Sequence, residues 1–224
     1  MKKIIAFDCD STLSAIEGVD ELARFAGDDV FKQVEDLTNQ AMNGKIAVET
    51  VFGKRLELIQ PTQQQCEQVG QMYIDHIEPT AKATIATLQQ NGWECIIISG
   101  GFAACIEPLA KELGINRIEA VPLYFTKNGS YLGFDSDYPT TRNGGKPEII
   151  SQIKGEQNPD TVAMIGDGVS DLETQSVVDT FIGYLGYTAR EKVQEEAKNT
   201  TYILSKILDI LISVSYTHLR AHET

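Results

Sequence analysis

Basic charge is what this sequence is shortest of: 19 Lys and Arg stand against 32 Asp and Glu, leaving a net charge of -13. A nucleic acid or an anionic membrane needs a basic footprint, so both are excluded as partners. Any anionic ligand must then be held by a local cluster of donors. Cysteine is scarce too. Cys9, Cys66, Cys95 and Cys105 show no C-x-x-C spacing, and Cys95 sits inside an apolar strand-like run. Reduced thiols in a cytoplasmic protein are expected on that pattern. No apolar run approaches the roughly 18 residues that a membrane span needs. Repeats and low-complexity tracts are also absent, which leaves a globular chain of 224 residues, 42% hydrophobic, long enough for one good core and a small insert.

The most informative stretch comes first. Ile4-Ile5-Ala6-Phe7 reads as a strand buried on both faces, the kind found in parallel α/β sheets. Ligands bind such sheets at the carboxyl ends of the strands. Asp8-Cys9-Asp10-Ser11-Thr12 follows directly, placing two carboxylates one residue apart at that end. Like charges so close call for a cation or a shared proton.

Between Leu13 and Pro79 the period changes from strand to helix. Val19, Leu22, Phe25 and Ala26, then Val30, Val34, Leu37 and Ala41, then Val48, Val51, Phe52, Leu56 and Ile59 recur three and four residues apart. A helical module inserted after the first strand is expected. Arg55 falls on the edge of its last apolar face, where arginines ordinarily snorkel to water. Glu17 stands where a helix dipole alone would favour an acid.

From Thr80 strands and helices alternate again. Ile85 and Leu88 mark a helix stopped by Asn91-Gly92, and Glu94 to Ile98 a second buried strand, ending in Ser99-Gly100-Gly101-Phe102. A hydroxyl and two glycines there let backbone N–H groups approach an oxyanion. Asn128-Gly129 suggests a hairpin with a two-residue turn. Gly144-Gly145-Lys146-Pro147 opens a helix, and the strand Val162 to Ile165 ends in Gly166-Asp167-Gly168-Val169-Ser170-Asp171. Acid pair, hydroxyl, lysine and second acid pair at successive strand ends are the parts of a Mg²⁺-dependent phosphoryl-transfer site.

In that order, D-x-D-S-T, S-G-G-F, G-G-K and G-D-G-x-x-D resemble the haloacid dehalogenase superfamily of aspartyl-phosphate phosphatases. The likeness extends to Glu17-Gly18-Val19-Asp20-Glu21-Leu22-Ala23, Lys54-Arg55-Leu56 and Gly133-Phe134-Asp135, and covers about residues 1 to 213. It implies a doubly wound, Rossmann-like parallel sheet, a catalytic core of residues 1–13 and 80–213, and a helical cap of 14–79. The implied activity is hydrolysis of O-phosphoserine, the last step of serine biosynthesis, by a monomer or a homodimer. Position by position, Asp8 would be the nucleophile and Asp10 the acid and base. Asp8, the carbonyl of Asp10 and Asp167 would hold Mg²⁺, with Asp171 supporting them. Ser99, Gly100 and Lys146 would hold the phosphoryl group, with Ser170 alongside. Glu17 would face the substrate ammonium and Arg55 its carboxylate.

Two positions depart from the family pattern. Ala47-Val48 stands where many members have Pro-Phe, and Ser170 replaces a common Thr or Asn. Another small phosphate monoester, such as phosphohomoserine, phosphoethanolamine or a sugar phosphate, is the competing substrate. A phospho-accepting receiver module is the competing class, and Asp10 argues against it by supplying the acid-base step a long-lived phospho-aspartate must lack. Residues 214 to 224 resemble the translation of a sequencing-library adapter, so His218 and His222 are left out of the site.

Overall fold

In the computed structural model, which describes residues 1–42 and 46–213, β1 (Lys3–Phe7) lies in the middle of a six-stranded sheet. Its side chains alternate between two cores. Ile5 and Phe7 join one apolar cluster, and Ile4 and Ala6 join the other. Full burial of such a side chain contributes about 1.5–3 kcal/mol, so a polar residue on either face would be costly. The adapter-like stretch lies outside the described residues.

After β1 the chain turns sharply through Cys9–Leu13, with Ser11 in the left-handed region at φ 50°. A non-glycine residue there stores strain of order 1 kcal/mol, as functional turns commonly do. Four helices follow: α1 (Gly18–Ala26), α2 (Asp28–Met42), α3 (Val48–Ile59) and α4 (Gln63–Asp75). Leu22, Val34, Val51, Phe52, Leu56 and Ile59 are buried as their spacing predicts, whereas Phe25 is 42% exposed. Helix α4 was not legible from its periodicity. Its sequence is rich in glutamine, but Thr62 and Gln65 form a reciprocal capping box, and it buries Cys66, Val69 and Tyr73.

The two crossings between this helical segment and the sheet run side by side. Ser14 bridges Ile77, the Glu78 N–H donates to the Leu13 carbonyl at 2.9 Å, and the Ala15 N–H to the His76 carbonyl at 3.0 Å.

The remainder winds helices onto both faces of the sheet. In order come α5 (Ala81–Gln90), β2 (Trp93–Phe102), α6 (Ala103–Leu113) and β3 (Arg117–Val121). A hairpin, β4 (Leu123–Phe125) and β5 (Tyr131–Phe134), turns at Asn128-Gly129 as expected, but through the longer loop 126–130. Then follow α7 (Gly145–Gln157), β6 (Thr161–Gly166), α8 (Val169–Leu172), β7 (Thr180–Tyr184), α9 (Glu191–Glu196) and β8 (Asn199–Thr201). The sheet order is β3-β2-β1-β6-β7-β8, every pair parallel. Beyond the second strand's expected end, Ser99 to Phe102 continue it through a register shift against β3. Irregularities of this kind re-aim side chains beside active sites. Among the described residues no helix is long and apolar enough to cross a membrane.

Candidate active site

A cleft of about 160 Å³ opens at the carboxyl ends of β1, β2, β6 and β7, where parallel sheets bind ligands. Asp8 and Asp10 enter from the turn after β1, Gly100, Gly101 and Phe102 from the end of β2, and Lys146 from the first turn of α7. Asp167, Gly168 and Ser170 follow β6, while Glu17, Val19 and Arg55 come from the helical segment. Arg190, at the entrance to α9, completes the lining.

The floor is a buried ionic network. Lys146 is 4% exposed and lies 2.5 Å from Asp171 Oδ1 and 3.0 Å from Asp8 Oδ1. Burial alone would lower the lysine pKa, but the two carboxylates outweigh it and hold the ammonium charged. The Cys9 N–H also donates to Asp8 Oδ1, at 2.8 Å. Asp171 turns its other oxygen to the Gly168 N–H at 2.9 Å. Gly166 is what admits this carboxyl, because a Cβ there would overlap it. Burial, and then the charge of Asp8, push the Asp167 and Asp171 carboxyls up to about 8 and about 7.

Asp8, Asp167 and Asp171 each bring a carboxylate oxygen within 4.8 Å of the others. Three hard oxygen donors at that spacing suit a divalent cation of the Mg²⁺ type. Charge balance agrees with the donor set. Four carboxylates and three cations line the cleft among the described residues, and Asp171 beneath them brings the excess to two negative charges. Asp171 is fully buried and does not line the cleft, its two oxygens being taken by Lys146 and the Gly168 N–H.

Asp10 is gripped from above the floor. Its Oδ1 accepts the Gly18 N–H at 2.7 Å and the Tyr73 hydroxyl at 2.6 Å. Burial, followed by Asp8, pushes its carboxyl up to about 6. Ser99 is fully buried and does not line the cleft; its hydroxyl lies 3.4 Å from Asp10 Oδ2 and accepts the Gly101 N–H at 2.9 Å. Cys9, between the two acids, points away into the core, and burial holds its thiol protonated.

The opposite wall carries Glu17 and Arg55. Glu17 accepts the Ser11 hydroxyl at 2.6 Å, and burial pushes its carboxyl up to about 8. Arg55 reaches Thr38 Oγ1 at 3.3 Å through one terminal nitrogen, and its guanidinium lies 5.6 Å from the centre of the Phe52 ring. The buried Nε of Arg55 has no partner among the described residues. A desolvated donor left open costs about 1–3 kcal/mol, which is a standing incentive to bind an acceptor.

Arg190 is the site residue that sequence reasoning missed. Its Nε lies 3.1 Å from Asp167 Oδ2 and a terminal nitrogen 3.9 Å from Glu17 Oε1, so it straps the floor to the opposite wall. Its one available signal is position, just past the end of a fourth parallel strand.

A family model for haloacid dehalogenase-like hydrolases matches residues 2–174. The chain belongs to this family. It is 36% identical over 196 residues to the phosphoserine phosphatase of Bos taurus, covering 87% of this chain and 86% of that one. Among solved structures, a phosphoserine phosphohydrolase-like protein from Francisella tularensis superposes with a TM-score of 0.82 at 28% identity, over 94% of this chain and 99% of that one. A phospho-aspartyl intermediate analogue of a phosphoserine phosphatase matches with a TM-score of 0.77 at 27% identity, over 93% and 98%. The family fold, a mostly parallel sheet wound with helices on both faces, is the one its motifs imply.

Proposed function

We propose that this chain hydrolyses O-phosphoserine to serine and inorganic phosphate through an aspartyl-phosphate on Asp8. The observation that carries the reading is one small cleft with a nucleophile, a buried lysine and an acid trio on its floor, and an open guanidinium and a carboxyl on the facing wall. Related phosphoserine phosphatases from several organisms and the phospho-aspartyl analogue support it.

In this reading residues 1–13 and 80–213 are the catalytic core, and 14–79 the cap that brings Glu17 and Arg55 over the substrate. Asp8 attacks phosphorus while Asp10 hands a proton to the departing serine oxygen. Asp10, now a carboxylate, takes a proton from the water that attacks the phosphoryl group and frees Asp8. Lys146 and the Gly100 N–H receive the phosphoryl oxygens, with Ser170 at the rim and Ser99 steadying Asp10 from below. Arg55 matches the substrate carboxylate with its planar fork, and Glu17 receives the ammonium. Arg190 fixes the side chains of Asp167 and Glu17. Asp8, Asp167 and the Asp10 carbonyl would hold Mg²⁺, with Asp171 supporting them; the ion's charge would stabilise the phosphoryl oxygens. Four free buried thiols fit a reducing cytoplasm.

Phosphate release from a panel of monoesters tests the substrate. Phosphoserine should exceed phosphoethanolamine and phosphoglycerate by about 30-fold or more in kcat/KM, since each lacks one of the two charged groups. A preference for phosphoethanolamine or a sugar phosphate would overturn the substrate and leave the chemistry. The metal is tested without turnover. At about 100 times its Kd, Mg²⁺ should stabilise the metal-free protein by about 2.7 kcal/mol in thermal melts, and Asp167→Asn should lose most of that gain.

A further inference from the structure

Tyr73 projects from the last turn of α4 and is completely buried. A buried tyrosine normally finds some partner for its hydroxyl, and a carbonyl would have served. Here the partner is Asp10 Oδ1, at 2.6 Å, on the residue whose proton the reaction needs. Burial pushes the phenol well above its usual range, so Tyr73 keeps its proton and acts only as a donor. The Gly18 N–H takes a second lone pair of the same oxygen at 2.7 Å.

Two donors on one oxygen have a definite consequence. A proton on Oδ1 would face two other protons, so the carboxylic acid carries its proton on Oδ2. Oδ2 is the oxygen beside the β2 end of the cleft: Ser99 Oγ is 3.4 Å away, and a Cβ at Gly101 would come within 3.0 Å of it. Gly18 belongs to the same arrangement. Any side chain there would overlap the Tyr73 hydroxyl, so glycine at 18 is a condition of the contact. Ser14 holds the far side, donating to the Tyr73 carbonyl at 3.0 Å.

We infer that Tyr73 is a positioning residue for Asp10: with Gly18 it saturates Oδ1, fixes the carboxyl rotation, and presents the Oδ2 proton to the leaving oxygen of the substrate. The transferred proton moves from Asp10 Oδ2 to the serine oxygen as the phosphorus–oxygen bond breaks and the bond to Asp8 forms. Tyr73 itself exchanges nothing. This rests on the proposed function, in which Asp10 is the acid.

The test separates positioning from packing by leaving group. A serine alkoxide leaves poorly without a proton, whereas para-nitrophenolate needs none. In Mg²⁺-loaded Tyr73→Phe, rapid-quench measurement of aspartyl-phosphate formation should show phosphoserine slowed about 10- to 100-fold, a part of what general acid catalysis supplies. The para-nitrophenyl phosphate rate should stay within about 2-fold of wild type by the same principle, and KM for phosphoserine should change little. The substitution removes one atom and leaves Asp10 its Gly18 donor, so the fold stands. Gly18→Ala, which pushes the hydroxyl aside, should reproduce the split. Equal slowing of both substrates, or no slowing of phosphoserine, overturns the inference. If wild type forms no aspartyl-phosphate from either substrate, it is the proposed function that fails.

Discussion

Asp8→Asn should lose at least about 10⁴-fold in phosphate release, the scale on which removal of a nucleophile usually registers. The amide keeps the shape of the carboxyl but has no charged oxygen to attack phosphorus. It also removes one carboxylate from the buried cluster of Asp8, Asp167 and Asp171. Lys146 retains Asp171 at 2.5 Å, so the variant should remain folded and the loss should belong to chemistry rather than to stability. Circular dichroism and a thermal melt check that point, and phosphate release from phosphoserine checks the rate. Turnover near wild type would sink the covalent mechanism.

Arg55→Ala should have the next largest effect, and a selective one. The guanidinium is half-buried, belongs to a residue that lines the cleft, spends one nitrogen on Thr38, and has a buried Nε with no partner among the described residues. Burial lowers its pKa, opposed by Asp20, Glu17 and Asp10, so the group carries a desolvation cost that a bound carboxylate offsets. Truncating it should lower kcat/KM for phosphoserine by about 30- to several-thousand-fold, as for other buried, hydrogen-bonded charge pairs. An aryl phosphate with no carboxylate should be turned over at almost the wild-type rate. Equal losses for both substrates would make Arg55 a structural residue of the helical segment.

Much of this site was legible because one rule links sequence to place. A doubly buried strand implies a parallel sheet, and a parallel sheet implies ligands at its carboxyl ends, so Asp8 and Asp167 could be brought together across 159 residues without a structure. Arg55 and Glu17 were readable only with the family pattern in view, since helix periodicity treats both as ordinary edge charges. Helix α4 escaped because its glutamines blur the apolar stripe, although its capping box was present in Thr62 and Gln65. Arg190 lies in a segment with no motif. Tyr73 looked like core and is core; its hydroxyl is what matters, and a contact spanning 63 residues leaves no local pattern.

The laced crossings at Ser14–Ile77 and Leu13–Glu78 make everything between them a closed loop hung beyond the carboxyl end of β1, in the middle of the sheet. Packing holds the loop as well: Cys66, Val69 and Tyr73 of α4 share one apolar cluster with Cys105 and Leu109 of α6, and the Phe52 ring lies 5.8 Å from that of Phe102. The elements that carry Asp8, Lys146 and Asp167 all lie outside it. Its tie to the acid is the grip on Asp10, since Gly18 and Tyr73 both belong to the loop while the carboxyl they hold follows β1. Exchanging the loop between relatives should therefore succeed as grafting does only when that pair of donors travels with it.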